Sequence, residues 1–188
     1  MKYLVTLCLS LVLVLSGCTA VGPQTIALSP TFEFSELNGV VIPIELIIAD
    51  ERENKDIIGF RNAKNKAPIK LEQSLAKTLG ESIQKAMEEQ GIIMTKTPEK
   101  LTKVQVIVKK LEYSSPNESW VSEVNLNALV TIKIERGKTS MTKNFSAERH
   151  QEVATAPNAK YNQKLTEELL TDLFSSVFSN SEIINFLK

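Results

Sequence analysis

Apolar residues alternate most regularly between Val124 and Ile134, where Val124, Leu126, Ala128, Val130, Ile132 and Ile134 take every second position. A period of two places those side chains on one face of a strand. Val104, Val106 and Val108 keep the same period, and Leu111 and Tyr113 resume it one residue out of step. That slip predicts a long strand with a bulge near Lys109-Lys110. Arg136-Gly137-Lys138 then predicts a tight reversal into a strand over 140–151, with Met141, Lys143, Phe145 and Ala147 sharing a face. The three runs together predict an antiparallel meander. Nearer the N-terminus, the β-branched run 40–49 predicts a strand, and Pro43 inside it marks an edge or a bulge. Ile57 to Arg61 predicts a second, shorter strand, with polar turns around Asn38-Gly39, 50–55 and 62–68.

Two stretches carry the helical period instead. Leu71, Leu75, Leu79, Ile83, Ala86 and Met87 recur at three- and four-residue spacing, which predicts a helix starting after Pro68 and ending at Gln90-Gly91. After Ala156-Pro157-Asn158, the stripe Tyr161, Leu165, Leu169, Leu173 and Val177, widened by Leu170 and Phe174, predicts a second helix. Asn180 or Ser181 is placed to cap a last short helix with Ile183, Ile184, Phe186 and Leu187. The order predicts an α+β fold: a mostly antiparallel sheet with two main amphipathic helices on one face and a short C-terminal helix.

The first residues follow neither period. Lys2 is followed by a nearly continuous apolar run from Tyr3 to Leu15, too short for the roughly 20 residues that span a bilayer. Charge, apolar run and small residues in that order describe a secretory signal. Leu15-Ser16-Gly17-Cys18 resembles the lipobox of bacterial lipoproteins, which implies cleavage before Cys18 and acylation of that cysteine. Gly22 and Pro23 argue against an uninterrupted transmembrane helix. Thr19, rather than Asp, follows the cysteine, which by the sorting behaviour of gram-negative lipoproteins implies the outer membrane. The chain therefore divides into a signal peptide at 1–17, a lipidated N-terminus and short tether at 18–31, and one periplasmic domain at 32–188. The tether contains one short extended piece, Thr25-Ile26-Ala27-Leu28, and its dozen residues would reach at most about 40 Å.

Charge removes one class of partner. Of 22 basic and 22 acidic residues only Lys2 leaves with the signal, so the mature chain is near neutral. A neutral chain without a basic block gives no electrostatic reason to expect nucleic acid or an anionic membrane surface. Cys8 leaves with the signal and Cys18 is acylated, so the domain has no disulfide and no cysteine metal site. No cofactor or metal is expected.

Candidate chemistry in the domain is sparse. His150 is the single histidine, and a Ser-His-Asp reading would need Asp50, Asp56 or Asp172 beside it, yet no glycine-flanked nucleophile elbow is present. Asp50-Glu51-Arg52-Glu53 lacks the spacing of a calcium loop. An ion pair of Asp50 or Glu51 with Arg52 or Arg61 that orders a loop is the simpler reading. Trp120 could pack over a strand edge, anchor a partner or touch headgroups. Asn117-Glu118-Ser119 matches a glycosylation sequon, which means little in a bacterial lipoprotein.

The chain resembles the YajG-type family of bacterial lipoproteins. The likeness is carried by the lipobox, Ile26 to Thr31, Gly39-Val40 leading to Ala49-Asp50-Glu51-Arg52, Met141 to Phe145, and Leu170-Thr171-Asp172 through to Phe186-Leu187-Lys188. The resemblance implies a membrane-anchored periplasmic protein and brings no active residues to carry over. The expectation is a non-enzymatic lipoprotein, attached to the bilayer through acylated Cys18, that binds a protein partner of the envelope. A lipid- or small-molecule-binding lipoprotein is the alternative, and a hydrolase the third reading.

Overall fold

The computed structural model describes residues 22–34, 43–61, 67–90, 101–115, 122–154 and 156–188. Its centre is the meander of β5 (Thr102–Ser114), β6 (Ser122–Arg136) and β7 (Thr139–Val153), antiparallel throughout. The apolar alternation sets the register: Val104 stands opposite Ile134, Val106 opposite Ile132 and Val108 opposite Val130. The register slips between Val108 and Lys110, so the bulge lies where the phase of the sequence changes. Gly137 opens the two-residue link from β6 to β7 with φ 60°, a left-handed value that glycine takes without steric cost.

The four remaining strands are short. β2 (Ile44–Asp50) pairs parallel with Thr102–Val108, and β3 (Ile57–Phe60) pairs parallel with the end of the same strand, Gly59 opposite Tyr113 and Phe60 opposite Ser114. β2 and β3 thus follow one another along one edge of β5, separated by the loop 51–56. β4 (Pro68–Leu71) pairs antiparallel with β3, and β1 (Gln24–Ile26) adds parallel to β4. The fold is α+β as expected, but the sheet is mixed: its long pairings are antiparallel and three short ones are parallel. Parallel neighbours come from distant parts of the chain, so local periodicity does not announce them.

Two boundaries differ from the sequence reading. Gln24–Ile26 falls within the stretch 18–31 expected as a tether, yet Ile26 is buried in the core and Phe32 and Phe34 follow it inside. The extended piece expected at Thr25–Leu28 is thus a strand of the domain that starts one residue earlier and ends two residues sooner. Leu71 belongs to β4, and the first helix, α1 (Leu75–Glu89), begins only after Ser74, whose hydroxyl accepts from the Lys77 amide. Leu71 precedes Leu75 by four residues and so imitates a helical stripe. The Gly91 expected at its end lies outside the described residues, as does Asn38-Gly39.

The second helix, α2 (Ala159–Phe178), is capped by Asn158, and α3 (Ser181–Leu187) by Asn180. Its stripe is as read: Leu165, Leu169, Leu170, Leu173, Phe174 and Val177 are all buried. Phe32 packs on Phe174 at 4.7 Å between ring centroids and Phe34 on Phe178 at 3.8 Å, which fastens the N-terminal segment to α2. α1 packs against β2, and α2 against β1, β6 and β7. The odd-even alternation of β5 and β6 leaves the opposite sheet face with no buried residue from those strands.

Candidate functional site

Cys18, the residue expected to carry the lipid, lies outside the described residues, but the described chain, which begins four residues further on at Gly22, is held to the domain from its first residue. Arg61, just past the end of β3, donates from Nη1 to the carbonyl of Gly22 at 2.8 Å and from Nη2 to that of Pro157 at 2.9 Å. Gln24 donates to the same Pro157 carbonyl at 3.0 Å and accepts from Nδ2 of Asn162 at 2.7 Å. Asn162 is fully buried on α2, and the neighbouring Thr166 hydroxyl bonds back to the Asn162 carbonyl. These groups tie three distant segments together: the entry to β1, the end of β3 and the start of α2.

Tyr113 completes this cluster from β5. Burial pushes its phenol up to about 12, offset in part by the Arg61 charge and by the Asn162 and Ser115 side chains nearby. Its hydroxyl is buried without a partner at bonding geometry. The Tyr113 carbonyl also explains Gly59, since a Cβ there would come within 1.8 Å of that oxygen. β3 slips against β4 between Ile57 and Gly59, which turns Phe60 out of the core, where it is 43% exposed.

At this end of the sheet one row runs across the strands. Pro68 stands opposite Phe60, Phe60 opposite Ser114, Ser114 opposite Asn125 and Asn125 opposite His150. The His150 ring hydrogen-bonds Asn125 through Nδ1 at 2.8 Å and lies 3.3 Å from Glu123. Among the described residues no serine is hydrogen-bonded to the imidazole. Two of the candidate aspartates are engaged elsewhere, Asp50 with Arg52 and Asp172 with Arg149. The single histidine is a half-exposed surface residue.

The Asp50-Glu51-Arg52-Glu53 stretch forms the loop between β2 and β3. Arg52 grips both carboxylate oxygens of Asp50 through Nε and Nη2 and also donates from Nη2 to the Lys55 carbonyl, while Glu51 pairs with Lys109 beside the β5 bulge. This is the loop-ordering ion pair expected from the sequence. Among the described residues no group of three acidic, histidine or cysteine side chains could hold a metal ion. Trp120 and the sequon at Asn117 lie outside the described residues.

The open sheet face carries ion pairs of alternating sign. Lys103 meets Glu45 at 3.8 Å, and Lys133 meets Glu135 at 2.6 Å, a bond that holds the Glu135 carboxyl below its ordinary value. Ile47 is 40% exposed on the same face, paired with Gln105. Between sheet and helices, an apolar gap lined by residues such as Phe34, Leu46, Met87 and Phe178 has a volume of about 30 Å³. That is room for about one water molecule and far from an acyl chain. A shallower groove of about 220 Å³ runs between residues 28–32 and α1.

The Gln24–Arg61–Asn162 cluster leaves little mark in the sequence. One signal was available: Asn162 and Thr166 sit where α2 turns its apolar side inward, and a polar residue there needs a buried partner. The partner, Gln24, is 138 residues away and has no local mark.

Comparison with known proteins adds a family and a fold. A family model described as an uncharacterized lipoprotein matches residues 34–188. The crystal structure of protein XCC0632 from Xanthomonas campestris, assigned to the DUF330 family model, superposes with a TM-score of 0.56 at 12% identity. That match covers 82% of this chain and 92% of the other. The crystal structure of an uncharacterized protein matches with a TM-score of 0.43 at 7% identity, over 88% of this chain and 99% of that one. The curated proteins contain no match.

Proposed function

We propose, for a chain that belongs to the family of uncharacterised, YajG-type lipoproteins, that it is a non-enzymatic envelope protein which binds a protein partner. In this reading Cys18 is acylated and holds the domain at the periplasmic face of the outer membrane. Several acyl chains, each contributing about 0.8 kcal/mol per buried methylene, make such an anchor stable. The family match supports lipidation, and the outer membrane rests on Thr19.

The observation that carries partner binding is the sheet face on which no described helix packs. The helices among the described residues pack on the other side, and this face presents Ile47 among mixed-sign pairs such as Glu45–Lys103 and Lys133–Glu135. A mixed-charge surface with an isolated apolar residue suits a polar protein interface and repels neither sign of partner. The lipid-binding alternative has less support, because the gap between sheet and helices is so small.

The test is a photo-crosslinking residue at Ile47, used in native membranes and followed by mass spectrometry. A recurrent adduct with one envelope protein is the expected result. Absence of any protein adduct, together with a lipid that co-purifies with the domain, would replace this reading with the lipid-binding one.

A further inference from the structure

The proposed lipid anchor and the Arg61 clamp bear together on which end of the domain faces the bilayer. Cys18 and Gly22 are four residues apart, so a fully extended chain separates them by at most about 14 Å. Gly22 cannot drift from the domain, because Arg61 holds its carbonyl and β1 begins two residues later. Gln24 stands level with Ile69, and the neighbouring Pro68 is paired with Phe60. From β1 to β3 is two strand spacings, about 10 Å. Phe60 is therefore at the anchored end of the sheet, on the open face, with nearly half of its surface exposed.

We infer that this end of the sheet rests on the headgroup region of the membrane that holds Cys18, with Phe60 entering the interface. The inference rests on the acylation of Cys18 proposed above. An exposed aromatic ring close to a lipid anchor gains free energy by leaving water for the headgroup–acyl boundary. Electrostatic attraction is not required, which suits a near-neutral chain. The same geometry places the other large exposed apolar residue far away. Ile47 is level with Gln105 and Phe60 with Ser114, nine residues further along β5. At strand rise that separation is about 30 Å, enough to keep Ile47 in the aqueous phase.

The difference between these two positions is the test. The mature lipidated protein, with Trp120→Phe to remove the native tryptophan, receives either Phe60→Trp or Ile47→Trp and is placed in phosphatidylethanolamine–phosphatidylglycerol vesicles containing brominated lipid. Phe60→Trp is expected to lose most of its fluorescence, and Ile47→Trp to keep it. Nitroxide labels on Phe60→Cys and Ile47→Cys repeat the comparison with Trp120 intact and with oxygen as the collision partner. If the protein floats with the vesicles while position 60 stays unquenched, or position 47 is quenched as strongly, the orientation is wrong. If it fails to float at all, the acylation of Cys18 itself is overturned, an outcome that flotation reads separately from quenching.

Discussion

Arg52 closes on Asp50, two residues before it, through two parallel bonds: Nε to Oδ1 at 2.9 Å and Nη2 to Oδ2 at 2.8 Å. The two side chains are 4% and 7% exposed, so the pair is buried at a loop that a reader of the sequence would place in solvent. Arg52→Ala leaves the carboxylate without its cation, and removing one partner of a buried pair costs about 3 kcal/mol or more. The expected result is a clear fall in the urea midpoint. Arg52→Lys should recover only part of it, because an ammonium cannot match both oxygens at once. Added calcium should leave the melting temperature where it is; a calcium-dependent rise would mean that this loop is a cation site instead.

Tyr113 should make the domain sensitive to alkali. Its phenol ionises near 10.0 in an unfolded chain and is raised to about 12 by burial. Below the lower value both states are neutral and the group has no effect on folding. As pH rises between the two values the unfolded chain ionises first, so stability falls, by roughly 2 kcal/mol in total. Tyr113→Phe should remove this component, seen as a stability difference between variant and parent that changes across that interval. At neutral pH the substitution should cost less than about 1 kcal/mol, since the hydroxyl has no partner of bonding geometry.

Arg61→Ala releases the carbonyls of Gly22 and Pro157 together. A loss of about 2 kcal/mol is expected from two bonds made by a charged donor. The sharper readout is local: amide exchange at Thr25 and Ile26 should quicken well before that in β5 and β6. Unchanged exchange in β1 would show that the strand is held by its pairing with β4 alone.

Cys18→Ser should leave uncleaved precursor and abolish recovery of the protein with outer membranes. Normal maturation and fractionation of that variant would remove the anchor from the account.

The elements with a strong local period could be read directly from the chain. The alternation of Val124 to Ile134, the phase slip at Lys109-Lys110 and the stripe from Leu165 to Val177 each became the predicted element, because burial on one face dictates which residues recur. What could not be read depends on distance. The extended piece at Thr25–Leu28 could be read, but its pairing with β4 and its tie to α2 could not, because nothing within the stretch records those neighbours. Leu71 shows the opposite failure, a residue whose spacing fits a helix although Ile69 beside it is a fully buried strand position. The Asp50–Arg52 pair was visible because both partners lie in one short run. The cluster around Asn162 was not, since its members are brought together only by the completed fold.

The placing of β1 has a consequence for the order in which the molecule assembles. β5, β6 and β7 follow one another in the chain and pair with their nearest neighbours, so the closure of their links costs little entropy. β1 needs β4, and Gln24 needs Asn162, a residue 138 positions further along the chain. On the proposed route of export from the N-terminus, the stretch beside the anchor would emerge first and find its bonding partners last. The domain would seat itself against its anchor only after Asn162, 138 residues behind Gln24, has crossed, which makes that docking a late step.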